Sequence, residues 1–150
     1  MKVNKNPQTS ELGIRTVVHE VVDNETGILA VSFRYTQDEM RFLQSGFQMQ
    51  YETIKLGASR GAHYHYPEDA EESFYVIDGD CRLIVCDINQ TICEIYDIEK
   101  GKTYTVPGMI LHKAVNTSKE SEVKMVVAKP FNFKVVNRTI KIDMSWTEKL

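Results

Sequence analysis

The sequence predicts an all-β chain, a barrel or sandwich of short strands. Short β-branched and aromatic runs recur along its length, bounded by turn signals such as Asp78-Gly79 and Pro107-Gly108. Apolar and polar residues alternate with the period of a strand, most clearly where Phe47, Met49 and Tyr51 interleave with Gln48, Gln50 and Glu52. Helical periodicity is scarce by comparison.

Taken in order, strands are expected over 14–22, rich in Val, and over 28–35, which adds Phe33 and Tyr35 to its aliphatic residues. Residues 36–43 follow as a loop or a helix of one or two turns, with Thr36 as N-cap and Glu39 three residues on. The strand 47–54 places Gln48, Gln50 and Glu52 either in water or in a polar barrel lumen, with the lumen slightly favoured. A strand through His63-Tyr64-His65 comes next, and further strands are expected over 72–77, 82–87, 91–98, 103–106, 110–115, 122–128 and 133–142. Trp146 is read as an anchor for the carboxy-terminal tail, on its own subunit or on a partner.

The chain has 150 residues and a net charge of −3, enough for one core and without a basic stripe for nucleic acid. No run of about 18 apolar residues suits a membrane span. Residues 1–8 are too polar for a secretory signal, so the expectation is one cytoplasmic domain over 1–150. Cys81, Cys86 and Cys93 are odd in number and form no Cys-x-x-Cys pair, and are expected as reduced, buried thiols. The long strand candidates near both termini suggest a homodimer whose first strands pair across subunits and cover a sheet edge.

Two clusters carry chemistry: Arg60-Gly61-Ala62-His63-Tyr64-His65 leading to Glu72, and Gly101 leading to Pro107, His112 and Asn116. On a strand, His63 and His65 share one face and Tyr64 takes the other. Glu72 opens the neighbouring strand, and His112 lies on another that returns across the barrel. Three imidazoles and a carboxylate suit a divalent transition metal such as Zn, Fe, Mn or Ni, with coordination positions left for water or substrate. Glu71 is the alternative carboxylate.

These residues resemble the two motifs of the cupin superfamily, Gly-x5-His-x-His-x(3,4)-Glu-x6-Gly and Gly-x5-Pro-x-Gly-x2-His-x3-Asn. Gly57, His63, His65, Glu72 and Gly79 fit the first if the loop before the carboxylate is about two residues longer. The spacing to Gly79 selects Glu72. The second fits, except that Met109 stands at the family's second glycine. The resemblance spans roughly residues 48–129, in a motif-bearing core of about 47–129, and implies a single-domain jelly-roll barrel with His63, His65, Glu72 and His112 as metal ligands.

Arg60-Gly61-Ala62-His63-Tyr64-His65 further resembles the Arg-Gly-x-His-x-His signature of cupins acting on nucleotide-linked sugars, including 3,4-ketoisomerases and capsular-polysaccharide enzymes. That implies an isomerase or epimerase removing a proton beside the carbonyl of a nucleotide-linked keto-sugar, in surface-polysaccharide or deoxysugar synthesis. Arg60 would bind a phosphate or sugar oxygen, helped by Gln48 and Gln50. In the ketoisomerases the histidines matching His63 and His65 act as acid and base without a metal; with a metal bound they cannot shuttle protons, and the base is then sought among Tyr64, Tyr66, Tyr75, Glu52 and any unbound carboxylate. A metal-dependent (Fe) dioxygenase and a non-catalytic small-molecule-binding cupin are the alternatives.

Overall fold

The structure is a computed structural model that describes residues 1–19, 21–25, 27–30, 47–67, 70–130 and 138–149. Its strands are β1 (Lys2–Lys5), β2 (Arg15–Val18), β3 (Val21–Asn24), β4 (Gly27–Ala30), β5 (Phe47–Ile54), β6 (Ser59–Tyr66) and β7 (Glu72–Asp78). They continue as β8 (Cys81–Cys86), β9 (Ile92–Ile98), β10 (Lys102–Val106), β11 (Leu111–Asn116), β12 (Val123–Pro130) and β13 (Arg138–Lys141), before a 3-10 helix at Ser145–Lys149. Among the described residues they form a six-stranded sheet, β1-β9-β8-β11-β6-β13, a five-stranded sheet, β2-β10-β7-β12-β5, and a β3-β4 hairpin. The all-β expectation holds, with a jelly-roll pair of sheets. The expected strand 14–22 is two strands, β2 and β3, interrupted near His19. The loop or helix expected over 36–43 lies outside the described residues, as do 31–35 and 133–137 of two expected strands. β1, which the polar amino terminus does not announce, pairs in parallel with β9. β2 finds its partner, β10, within the chain.

The main core lies between the sheets. Leu83, Val85, Tyr96 and Ile98 of one meet Phe74, Val76, Met125 and Val127 of the other. Strand β5 runs against the usual polarity: Gln48, Gln50 and Glu52 are half-buried, whereas Met49 and Tyr51 are 59% and 62% exposed. Buried Ile54 shares the parity of the polar residues, so their face is the inner one. Two motif residues fasten the sheets. Gly79 has φ +82°, and a Cβ there would stand 2.8 Å from the Glu122 carbonyl oxygen. Asn116 donates through Nδ2 to the carbonyls of Ile54 and Ser121 and accepts from the Ser118 amide.

Glu94 is fully buried on β9, with no cation against it among the described residues. It accepts hydrogen bonds from Ser10 Oγ (2.6 Å), the amides of Glu11 (2.6 Å) and Leu12 (3.4 Å), and Tyr96 OH (2.7 Å). This carboxylate holds the segment between β1 and β2 against the barrel. A second cluster, with Ile84, Ile95, Leu111 and Met144, covers the outer face of the six-stranded sheet and packs against Trp146. Trp146 also bonds Gln90 through Nε1, so it anchors the tail on its own subunit. The reduced-thiol expectation fails for two cysteines, because Cys86 and Cys93 form a disulfide. They are direct partners across the β8-β9 hairpin with Cα atoms 4.1 Å apart, the spacing of a close, non-hydrogen-bonded pair. Cys81 is a free, buried thiol.

Candidate metal centre and active site

The site sits where β6, β7 and β11 converge. His63 and His65 project inward from β6, Glu72 from the start of β7, and His112 from β11. One ligand atom from each lies within 4.8 Å of every other. Register explains the convergence, since His112 pairs with His63 across β6-β11.

That pairing carries a bulge. His112 faces His63 but Lys113 faces Gly61, leaving Ala62 as the extra residue, with φ +60°. Without it, strict alternation from His63 would turn Arg60 to the outer face. With it, Arg60 pairs with Ala114, a core residue, and points into the cavity. Gly61 permits the bulge: its φ is +97°, and a Cβ would lie 2.7 Å from the His112 carbonyl oxygen. The second motif's departure is also resolved, because Met109 takes the left-handed backbone itself (φ +64°) while its amide donates to the His65 carbonyl at 2.8 Å.

The electrostatics favour ligation. His112 Nδ1 lies 3.1 Å from the Ile110 carbonyl, and in the neutral ring this donating nitrogen leaves Nε2 bare. Buried Nε2 is 2.9 Å from Glu72 Oε2 yet makes no hydrogen bond, the condition of a nitrogen arranged for an ion. His65 Nε2 lies 3.0 Å from the same oxygen, with Nδ1 3.3 Å from Thr139 Oγ1. Burial, then the neighbouring His112 and His65, pushes His63 down to about 4, so it is neutral at pH 7. Burial opposes ionisation of Glu72, but His112 and His65 outweigh it and hold the carboxyl well below its ordinary range. Three imidazoles around one carboxylate fit a first-row divalent ion.

The described walls enclose about 70 Å³, lined by Glu52, Arg60, His63, Glu72, Phe74 and His112 among others. Arg60 Nε meets Glu52 Oε2 at 3.1 Å, so both residues join the cluster. Gln48 and Gln50 lie further along the same inner face of β5. Tyr64 does not join: it packs in the outer cluster, as the alternation of β6 requires. Tyr75 also faces away, toward His19 at 6.4 Å between ring centres, because Glu72 and Phe74 occupy the inner positions of β7. Tyr66 is 49% exposed. Glu71, the alternative ligand, pairs with Arg15 at 2.9 Å outside the cluster. Sequence reasoning missed Lys129, whose Nζ lies 3.8 Å from Glu72 Oε1. Its parity with inward-facing Met125 and Val127 was the available signal.

Residues 50–129 match the family model described as "Cupin domain". The chain is a cupin. No curated protein sequence matches it. This cupin resembles the solved dTDP-4-dehydrorhamnose 3,5-epimerase of Sulfolobus tokodaii with a TM-score of 0.68 at 15% identity, over 93% of this chain and 82% of that one. It is also similar to the dTDP-6-deoxy-D-glucose-3,5-epimerase RmlC of Legionella pneumophila, solved with dTDP-4-keto-L-rhamnose, with a TM-score of 0.64 at 18% identity over 85% and 71% of the two chains. The capsular polysaccharide assembling protein CapF of Staphylococcus aureus gives 0.56 at 18% identity over 65% of this cupin and 26% of that chain. At such identities the likeness is one of fold. Among the described residues no helix is long and apolar enough to cross a membrane.

Proposed function

We propose that this cupin is a metal-binding enzyme that isomerises or epimerises a nucleotide-linked keto-sugar. The observation that carries the reading is the joining of Arg60 and Glu52 to the His63, His65, Glu72 and His112 cluster in one cavity. The solved epimerases of like fold, including one holding a dTDP-linked keto-sugar, support it.

An ion held by His63, His65, Glu72 and His112 would supply Lewis acidity toward a carbonyl oxygen. Arg60, bound to Glu52 through Nε, has its other guanidinium nitrogens for a phosphate or sugar oxygen. Glu52 is the base, accepting the proton beside the carbonyl and returning it. Tyr64 and Tyr75 are too far round the strands for that task. Lys129 faces Glu72 and offsets negative charge at the inner end of the site.

A second reading, a metal-dependent dioxygenase, is favoured by the ligand set, since three histidines and a carboxylate can hold Fe(II) with positions free for oxygen and substrate. One experiment separates the two. Elemental analysis fixes the metal, and calorimetry then measures dTDP- and UDP-sugar binding to wild type and Arg60→Ala. The isomerase reading expects saturable binding weakened by roughly ten- to a hundredfold in the variant, the loss of a charge-assisted contact. Equal affinities, or iron that restores oxygen uptake, would sink it.

A further inference from the structure

A larger cavity lies on the other side of β11 from the metal centre. It encloses about 430 Å³, within the range of small-molecule sites. Its floor is the outer face of the six-stranded sheet, with Arg82, Lys113 and the apolar Ile84 and Val115, and Thr147 of the C-terminal 3-10 helix closes one side.

Lys113 is the unusual member. It is 7% exposed, and its Nζ donates to one neutral group, Thr147 Oγ1, at 2.9 Å. Among the described residues no carboxylate pairs with it; Asp143 feels its charge from beyond ion-pair distance. An ammonium carries three donors, and a buried cation with a single hydroxyl partner is costly. Arg82 adds a second cation. Its Nε is bound to Asp97 Oδ1 at 2.8 Å, and its remaining nitrogens make no hydrogen bond among the described residues. Ser59 and Thr117 bring hydroxyls to the same cavity. Glu148 at the exposed margin limits the negative charge the cavity accepts.

We propose that this cavity binds a small oxyanion, a phosphate monoester or a carboxylate with an apolar portion, with Lys113 as its buried counter-ion. The ammonium then gains acceptors that the protein withholds, and the ligand's apolar part covers the partly buried Val115. This site is separate from the metal centre, and its existence does not depend on the function proposed above.

Because an anion also suits Arg60 or a bound metal, the test must locate binding. Phenyl phosphate and butyrate would be titrated separately into the ¹⁵N-labelled protein, following amide shifts in wild type and Lys113→Met. Methionine keeps the aliphatic length and removes the charge. The expected result is saturable shifts at Ser59, Thr117 and Thr147 for one or both probes, weakened at least tenfold in the variant. A response to phenyl phosphate alone identifies a phosphate site, and to butyrate alone a carboxylate site. If Lys113→Met does not fold, a Ser59→Ala/Thr117→Val double variant takes its place, with a severalfold weakening expected. Shifts confined to Arg60 and Glu72, shifts that persist unweakened in the variant used, or none with either probe would overturn the proposal.

Discussion

Replacing Gly61 by alanine tests the bulge that aims Arg60 into the cavity. Two costs are separable. The first is conformational: φ is +97°, and a left-handed L-residue costs roughly 1–2 kcal/mol, less about 0.4–1 kcal/mol from the stiffer unfolded chain. The second is steric, because the new Cβ would lie 2.7 Å from the His112 oxygen and 3.2 Å from the Lys113 Cα, both backbone atoms. The β6-β11 ladder must open, at roughly 1–3 kcal/mol for overpacking. Gly57 supplies the control, with φ +69° and nothing within 4 Å of its Cβ. Gly61→Ala should therefore lose about 2–4 kcal/mol, or roughly 5–15 °C in Tm, against about 1 kcal/mol for Gly57→Ala. Urea unfolding of both variants measures the difference. If they agree within about 0.5 kcal/mol, the backbone contact does not set the requirement for glycine.

Acid should weaken the fold earlier than carboxylate titration alone allows. His63 is held at about 4 in the folded chain against 6.5 unfolded, so the unfolded chain takes the proton first and stability falls as pH drops from about 6.5 toward 4. Glu72, also depressed, adds its loss below about 4.5. The slope for His63 stays under about 1.4 kcal/mol per pH unit, the limit for a single proton. Urea midpoints of metal-free protein that stay flat from pH 6.5 to 5 would contradict this. Thiol counting tests the disulfide: one labelled cysteine in denatured, unreduced protein and three after reduction. Native Cys81, pushed up to about 12 by burial, should react slowly. Three labelled thiols without reductant would remove the Cys86–Cys93 bond.

Much of the site was legible because a strand's alternation is local. His63 and His65 had to share a face, and the spacing from Glu72 to Gly79 selected that carboxylate over Glu71. The same rule had already turned Tyr64 outward, and its candidacy as a base went against it. What stayed hidden depended on how the strands pair with one another. Ala62 is an extra residue only relative to β11. Cys86 and Cys93 meet only through the hairpin register. Lys129 reaches Glu72 because β12 lies beside β7. β1 forms from polar residues since β9 offers a free edge, a tertiary effect no local propensity carries.

The Glu94 carboxylate bears on where this fold can be cut. Both cupin motifs fall within roughly residues 48–129, which invites treating that stretch as a minimal unit. Removing the amino-terminal segment would take away Ser10 Oγ and the amides of Glu11 and Leu12 together, leaving Tyr96 as the one remaining partner of the Glu94 carboxylate among the described residues. The motif-bearing stretch is thus not self-sufficient: residues before it, which carry none of the site's ligands, complete the solvation of a group inside it.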